Sequence, residues 1–194
     1  MRDTLTHKNI YLLIGGGCHE GHSKKKIAEE IKTWINFKKI DQAKVLFVPF
    51  AKDPIFWKKT VDKFVNSVFA DLLAEEKITT STAVLNGDLQ AQINSSDVIF
   101  FSGGTELNLI KVFKKVEIPK KNKIIIGSSA GTNFLSTFYY SNDRQKIESG
   151  LGLLPISTIC HYSVEKREKV IELSNSSLHP VYYIYENEFL SLVY

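Results

Sequence analysis

Short, wholly apolar runs stopped by glycine or proline constrain this chain more than any other feature. Ile10–Ile14 runs into Gly15-Gly16-Gly17, and Val45–Val48 is stopped by Pro49. Val98–Phe101 ends at Ser102-Gly103-Gly104, and Ile124–Ile126 meets Gly127. Runs this short, without polar alternation, are strands buried on both faces. Between them the apolar spacing becomes helical. Ile27, Ala28, Ile31, Trp34 and Ile35 recur over residues 24–37, with Ser23 placed as N-cap, and Val61, Phe64, Val65, Val68 and Leu72 form a stripe within 55–75. A further helix is expected over 106–115, and a weak strand over 81–85. Alternating βα units of this kind predict a three-layer, doubly wound α/β fold, its mostly parallel sheet covered by helices on both faces. The closing segments Val181–Tyr185 and Phe189–Val193, separated by Glu186-Asn187-Glu188, are expected to pair as an antiparallel edge hairpin. No linker or repeat divides residues 1–194, so one domain is expected.

Composition excludes several classes. A hydrophobic share of 43% and a charged share of 24% suit a globular protein. The net charge of +4 is scattered; the clusters Lys24-Lys25-Lys26 and Lys120-Lys121 lack interleaved aromatics and read as solvated faces rather than a nucleic-acid platform. Two cysteines, Cys18 and Cys160, make no secreted disulfide framework, and Ile10–Ile14 is too short for a signal-peptide core or a membrane span. The expectation is a cytoplasmic protein without membrane partners.

Gly127-Ser128-Ser129-Ala130-Gly131 lies between a strand and a segment able to start a helix, the setting that a G-x-S-x-G nucleophile turn requires. The glycines allow a sharp reversal that leaves Ser129 proud at the strand's C-terminal end; the plain alternative is an ordinary tight turn. In an open α/β sheet, ligands bind beyond the C-terminal ends of the strands, where the glycine-rich turns after residues 14, 101 and 126 also fall.

A serine nucleophile needs a base and a group that orients the base. Of the five histidines, His7 and His179 precede strands and belong at the wrong end of the sheet, while His19 and His22 occupy the loop after the first strand. His161 directly follows Ile156–Cys160, at a strand's C-terminal end. For the orienting acid, Glu186 follows Tyr182–Tyr185 and ranks first, ahead of Glu188 and Asp143. Their plain reading is as solvated turn carboxylates. The order Ser-His-Glu is not that of α/β-hydrolases, where the acid precedes the histidine. The Ala130 N–H and a donor from Gly103-Gly104 are candidates for an oxyanion hole.

Four segments in order carry a family resemblance: the first strand with Gly15-Gly16-Gly17; Phe100-Phe101-Ser102-Gly103-Gly104; Ile126–Gly131; and Gly150-Leu151-Gly152-Leu153-Leu154-Pro155 leading to Cys160-His161-Tyr162. The chain resembles the peptidase E and cyanophycinase family of serine exopeptidases, whose fold is similar to the class I glutamine amidotransferase domain. The resemblance implies Ser129 as nucleophile, His161 as base, Glu186 as acid, and Gly104 and Ala130 as oxyanion donors, with no cofactor. It implies a preference for N-terminal aspartyl or β-aspartyl residues; the expected substrates are dipeptides or short peptides, and the expected state is a monomer or homodimer. One departure stands beside the double glycine: Thr105 and Glu106 replace the Asn or Asp and the Thr or Gln usual there. A carboxylate at Glu106 facing the substrate would repel an acidic side chain; alternatively, Glu106 merely favours a helix N-terminus.

The leading expectation is therefore a serine peptidase. An esterase or amidase, or a non-catalytic binding module on the same scaffold, are the alternatives. A metal site at Cys18-His19-Glu20-Gly21-His22 is a remaining possibility by ligand type. Cys160 reads as a small buried residue rather than a second nucleophile.

Overall fold

The computed structural model describes residues 5–19 and 21–194. Its main sheet has six strands: β1 (Ile10–Ile14), β2 (Ala43–Val48), β3 (Ile78–Thr82), β4 (Val98–Phe101), β5 (Ile124–Ser128) and β10 (Phe189–Val193), in the spatial order β10-β1-β5-β4-β2-β3. All neighbours are parallel except β10, which runs antiparallel to β1.

The apolar runs divide their side chains between two cores with a period of two. Ile10, Leu12, Ile14, Val45, Phe47, Phe100, Ile124 and Ile126 face one side. They pack against α1 (Gly21–Phe37), α2 (Trp57–Val65) and α3 (Ala70–Ala74), which contribute Ile27, Ile31, Ile35, Phe64 and Leu72. Leu13, Leu46, Val48, Ile99, Phe101 and Ile125 face the other side, toward α4 (Leu89–Ser95), α5 (Glu106–Phe113) and α6 (Ala130–Leu135). Each such side chain contributes about 1.5–3 kcal/mol on burial. A one-residue slip in register would exchange the faces and leave both cores mismatched. This is the three-layer α/β arrangement the apolar runs predict.

The chain departs from its sequence pattern in several places. The first helix begins at Gly21, so Ser23 lies within it rather than capping it. The 55–75 stripe is not one helix: a 3-10 turn at Pro54–Phe56 leads into α2, and α3 follows a break at residues 66–69. The weak strand lies at Ile78–Thr82.

The largest departure is a second, four-stranded sheet in the order β7-β6-β8-β9. It comprises β6 (Ser136–Ser141), β7 (Lys146–Ser149), β8 (Leu154–Tyr162) and β9 (Val181–Tyr185), with α7 (Arg167–Ser176) packed upon it. The expected terminal hairpin is absent, because Val181–Tyr185 pairs with β8 while Phe189–Val193 pairs with β1. The turn at 186–188 thus carries the chain from one sheet to the other.

Candidate active site

Three neighbouring strands, β1, β5 and β4, end together, and their loops meet at one edge of the main sheet. Ser129 follows β5 with φ 53° and ψ −111°, a conformation uncommon for a side-chain-bearing residue. A sharp, strained turn of this kind lifts a side chain clear of the sheet. The turn is tied down on all sides. The Ser129 N–H donates to the Ile14 carbonyl at 2.8 Å, and the Thr132 hydroxyl bonds the carbonyls of Gly127 (2.7 Å) and Ile14 (2.9 Å).

His161 reaches this serine from the second sheet. Strand β8 pairs with β9 at Ile159–Tyr183 and resumes at Tyr162–Tyr185, so β8 carries one extra residue in a bulge. His161 sits in it with φ 50°, its N–H donating to the Gly15 carbonyl at 3.1 Å and its own carbonyl accepting from Lys166 Nζ. The bulge aims the imidazole at the main sheet, placing Nε2 2.7 Å from Ser129 Oγ. Its Nδ1 is hydrogen-bonded to Glu186 Oε2. A carboxylate only accepts, so Nδ1 carries the proton and the Nε2 lone pair is left for the serine hydroxyl. Glu186 itself begins the turn between the sheets, held where the Asn187 N–H donates to the Gly16 carbonyl at 2.8 Å.

Two glycines are required here by space. A Cβ on Gly16, whose φ is +142°, would stand 2.1 Å from His161 Cε1. Gly104, at φ +149°, lies so close to Ala51 that a Cβ would meet that carbonyl at 2.3 Å. Its partner Gly103 runs directly beside Ser129. Among the described residues, no acceptor takes the N–H of Gly103, Gly104 or Ala130. Gly103 and Gly104 line the same cavity as Ser129.

The three side chains expected to act together are therefore together, and Gly104 and Ala130 flank them. Among the described residues it is Glu186, not Glu188 or Asp143, that bonds the His161 ring. Asp143 instead lines a cavity of about 760 Å³ that opens over Ser129 and His161, bounded also by Lys52, Lys59, Lys63 and Phe64.

Glu106 is not where a substrate-facing carboxylate would be. It is 5% exposed and turned inward, accepting from Asn133 Nδ2 at 2.8 Å and pairing with Arg144 at 3.2 Å. Arg144 also pairs with Glu148, which it holds below the usual carboxylate range. Glu106 thus ties the helix after Gly104 to the β6–β7 turn that bears Asp143. The pattern that could have revealed this is Arg144 with Glu148 at a spacing of four, but its link to Glu106 spans 38 residues and leaves no local signature.

Cys18 is buried. Its thiol lies 3.8 Å from Ser128 Oγ, and burial pushes its pKa up to about 11. No cluster of three metal-ligating side chains occurs among the described residues; Glu20 lies outside them. Cys160 is fully buried, and desolvation raises its thiol far above the ordinary range, so it is no competing nucleophile.

The sequence profile of peptidase family S51 matches residues 11–193. The chain belongs to that family and is a serine peptidase. No curated protein matches it by sequence. Among solved structures, a peptidase from an acI-B1 actinobacterium aligns with a TM-score of 0.67 at 16% identity, covering 96% of this chain and 84% of its own. A putative peptidase E protein from Listeria monocytogenes EGD-e aligns with a TM-score of 0.55 at 17% identity, covering 97% and 99% respectively. At those identities the likeness is one of fold, the class I glutamine amidotransferase-like arrangement.

Proposed function

We propose that this serine peptidase is an exopeptidase, hydrolysing dipeptides or short peptides through Ser129, His161, Glu186 and an acyl-enzyme. The observation that carries the reading is the 2.7 Å contact between Ser129 Oγ and His161 Nε2, with Glu186 behind the ring. Ser129 Oγ attacks the scissile carbonyl carbon as its proton passes to Nε2. The Glu186 carboxylate faces the resulting imidazolium and keeps its ring oriented. The carbonyl oxygen becomes an oxyanion, which the N–H groups of Gly104 and Ala130 receive. The C–N bond then breaks as Nε2 returns the proton to the leaving amine. Water, deprotonated by the same nitrogen, repeats the attack on the ester and frees Ser129.

A cavity of about 760 Å³ supports a small substrate rather than a folded protein. With Glu186 engaged by His161, Asp53 and Asp143 are, among the described residues, the cavity carboxylates left to meet a substrate's free ammonium group. The inward turn of Glu106 removes the repulsion expected toward an acidic side chain. Lys52, adjoining the Ala51 on which Gly104 rests, is suited to an aspartyl or β-aspartyl acyl residue. Two free buried cysteines are consistent with a cytoplasmic setting.

The test is intact-protein mass spectrometry after a fluorophosphonate probe, run beside dipeptide hydrolysis. One adduct in wild type and none in Ser129→Ala is expected, with loss of hydrolysis in the variant. No adduct on folded wild type would overturn the reading.

A further inference from the structure

The cavity's cations are unevenly placed. Lys59 and Lys63 are four residues apart on α2, so they share one face of that helix. Both are exposed and both line the cavity with Ser129 and His161. Among the described residues neither is in an ion pair, whereas Lys58 on the same helix is held by Asp62 at 2.6 Å. Among the described residues, therefore, no carboxylate pairs with these two cations beside Ser129, and they are placed to take an anion of the ligand.

Their side of the site can be read from contacts. Phe64, next to Lys63, meets the ring of His19 edge-on at 6.3 Å. His19 ends the described part of the loop whose Gly16 lies against His161 and whose Gly17 lies against Glu186. Lys63 therefore belongs to the histidine side of Ser129, and Lys52 to the side of Gly104. A general acid must stand where the leaving nitrogen departs, because it delivers the proton there. The histidine side is thus the leaving side. In a dipeptide, the group one residue beyond the scissile nitrogen, about 3.5 Å further along the chain, is the C-terminal carboxylate.

We propose that Lys59 and Lys63 bind the free C-terminal carboxylate of the leaving residue, making this peptidase a reader of short peptides with an unblocked carboxyl end. The proposal rests on Ser129 and His161 acting as described above. The same lysine chemistry would suit an acidic side chain, and the two sources separate experimentally. Asp53, Asp143 and Glu186 share the cavity; of these, Glu186 is bonded to His161 and Asp143 lies on the β6–β7 turn of the second sheet.

The experiment measures how dipeptides slow fluorophosphonate labelling of Ser129, and how fast they are cleaved, for matched free acids and C-terminal amides. A second pair set exchanges aspartyl for asparaginyl at the N-terminal residue. Wild type should favour the free acid over its amide by roughly tenfold or more, as loss of one charged hydrogen-bond partner implies. In Lys59→Met/Lys63→Met the acid-to-amide ratio should fall close to one, through KM rather than kcat, while the aspartyl-to-asparaginyl ratio holds. Equal protection by acid and amide in wild type, including no protection by either, overturns the proposal. So does a double variant that keeps the preference or loses the aspartyl one instead. In those cases labelling of Ser129 still occurs, whereas failure of the nucleophile reading itself would show as no labelling at all.

Discussion

Ser129 and His161 stand 2.7 Å apart but belong to differently built regions. The serine turn is carried by β5, which has a parallel neighbour on each side, and by α6, every residue of which is buried. The histidine and its acid come from the second sheet, from a bulge and from the end of an edge strand, with side chains 40% and 51% exposed. The difference teaches how the work is divided. A strained nucleophile needs surroundings that cannot relax, and the core provides them. The base has only to be aimed, which single contacts across the gap between the sheets achieve. The serine side should therefore resist small perturbations, and the histidine side should feel them.

The sharpest contrast comes from Ser129 itself. Ser129→Ala and Ser129→Gly should both lower kcat on the order of 10⁶-fold, as loss of a triad serine does elsewhere. The glycine variant also relieves the positive φ and should melt roughly 2–4 °C above the alanine variant, from about 1 kcal/mol of released strain. Equal melting temperatures by calorimetry would remove strain from the account.

On the histidine side, Gly16→Ala should cost about 100-fold or more in kcat by displacing the imidazole, and should melt roughly 2–4 °C or more below wild type, because a Cβ at φ +142° is strained. A variant that keeps full activity would mean the ring has room to move. Glu186→Gln should cost about 100-fold, because the amide can favour the wrong imidazole tautomer. Half-exposure lets water take over part of that role, so the loss stays below that of a buried acid. Steady-state kinetics on one dipeptide decides both.

The smallest effect concerns the Arg144–Glu148 pair of the second sheet. Arg144 lowers the folded-state pKa of Glu148. Its stabilisation is thus complete above the unfolded value of about 4.3 and is lost as pH falls through the folded one. Glu148→Gln should melt a few degrees below wild type at neutral pH, with the gap narrowing as pH falls below about 4.3 and through the lowered folded value. A gap that does not narrow on acidification would assign the effect to packing rather than charge.

Much of the site was legible because its parts obey local rules. Gly127–Gly131 announces a strand–turn–helix by composition, His161 falls near the C-terminal end of a β-rich run, and Glu186 directly follows another. The terminal segments misled because two β-rich stretches joined by a short turn look like a hairpin whether or not they pair. The inward turn of Glu106 was equally hidden, since its partners Asn133 and Arg144 are distant in sequence.

What the residues alone determined was local: apolar runs that must be buried on both faces, turns that need glycine, and the kinds of side chain able to do acyl chemistry. Only the tertiary structure decided which sheet each late strand joined, that an extra residue in β8 would turn His161 toward Ser129, and which lysines would line the cavity. Those outcomes depend on register and long-range pairing, whose energies come from contacts between segments and so leave no periodic trace within any one of them.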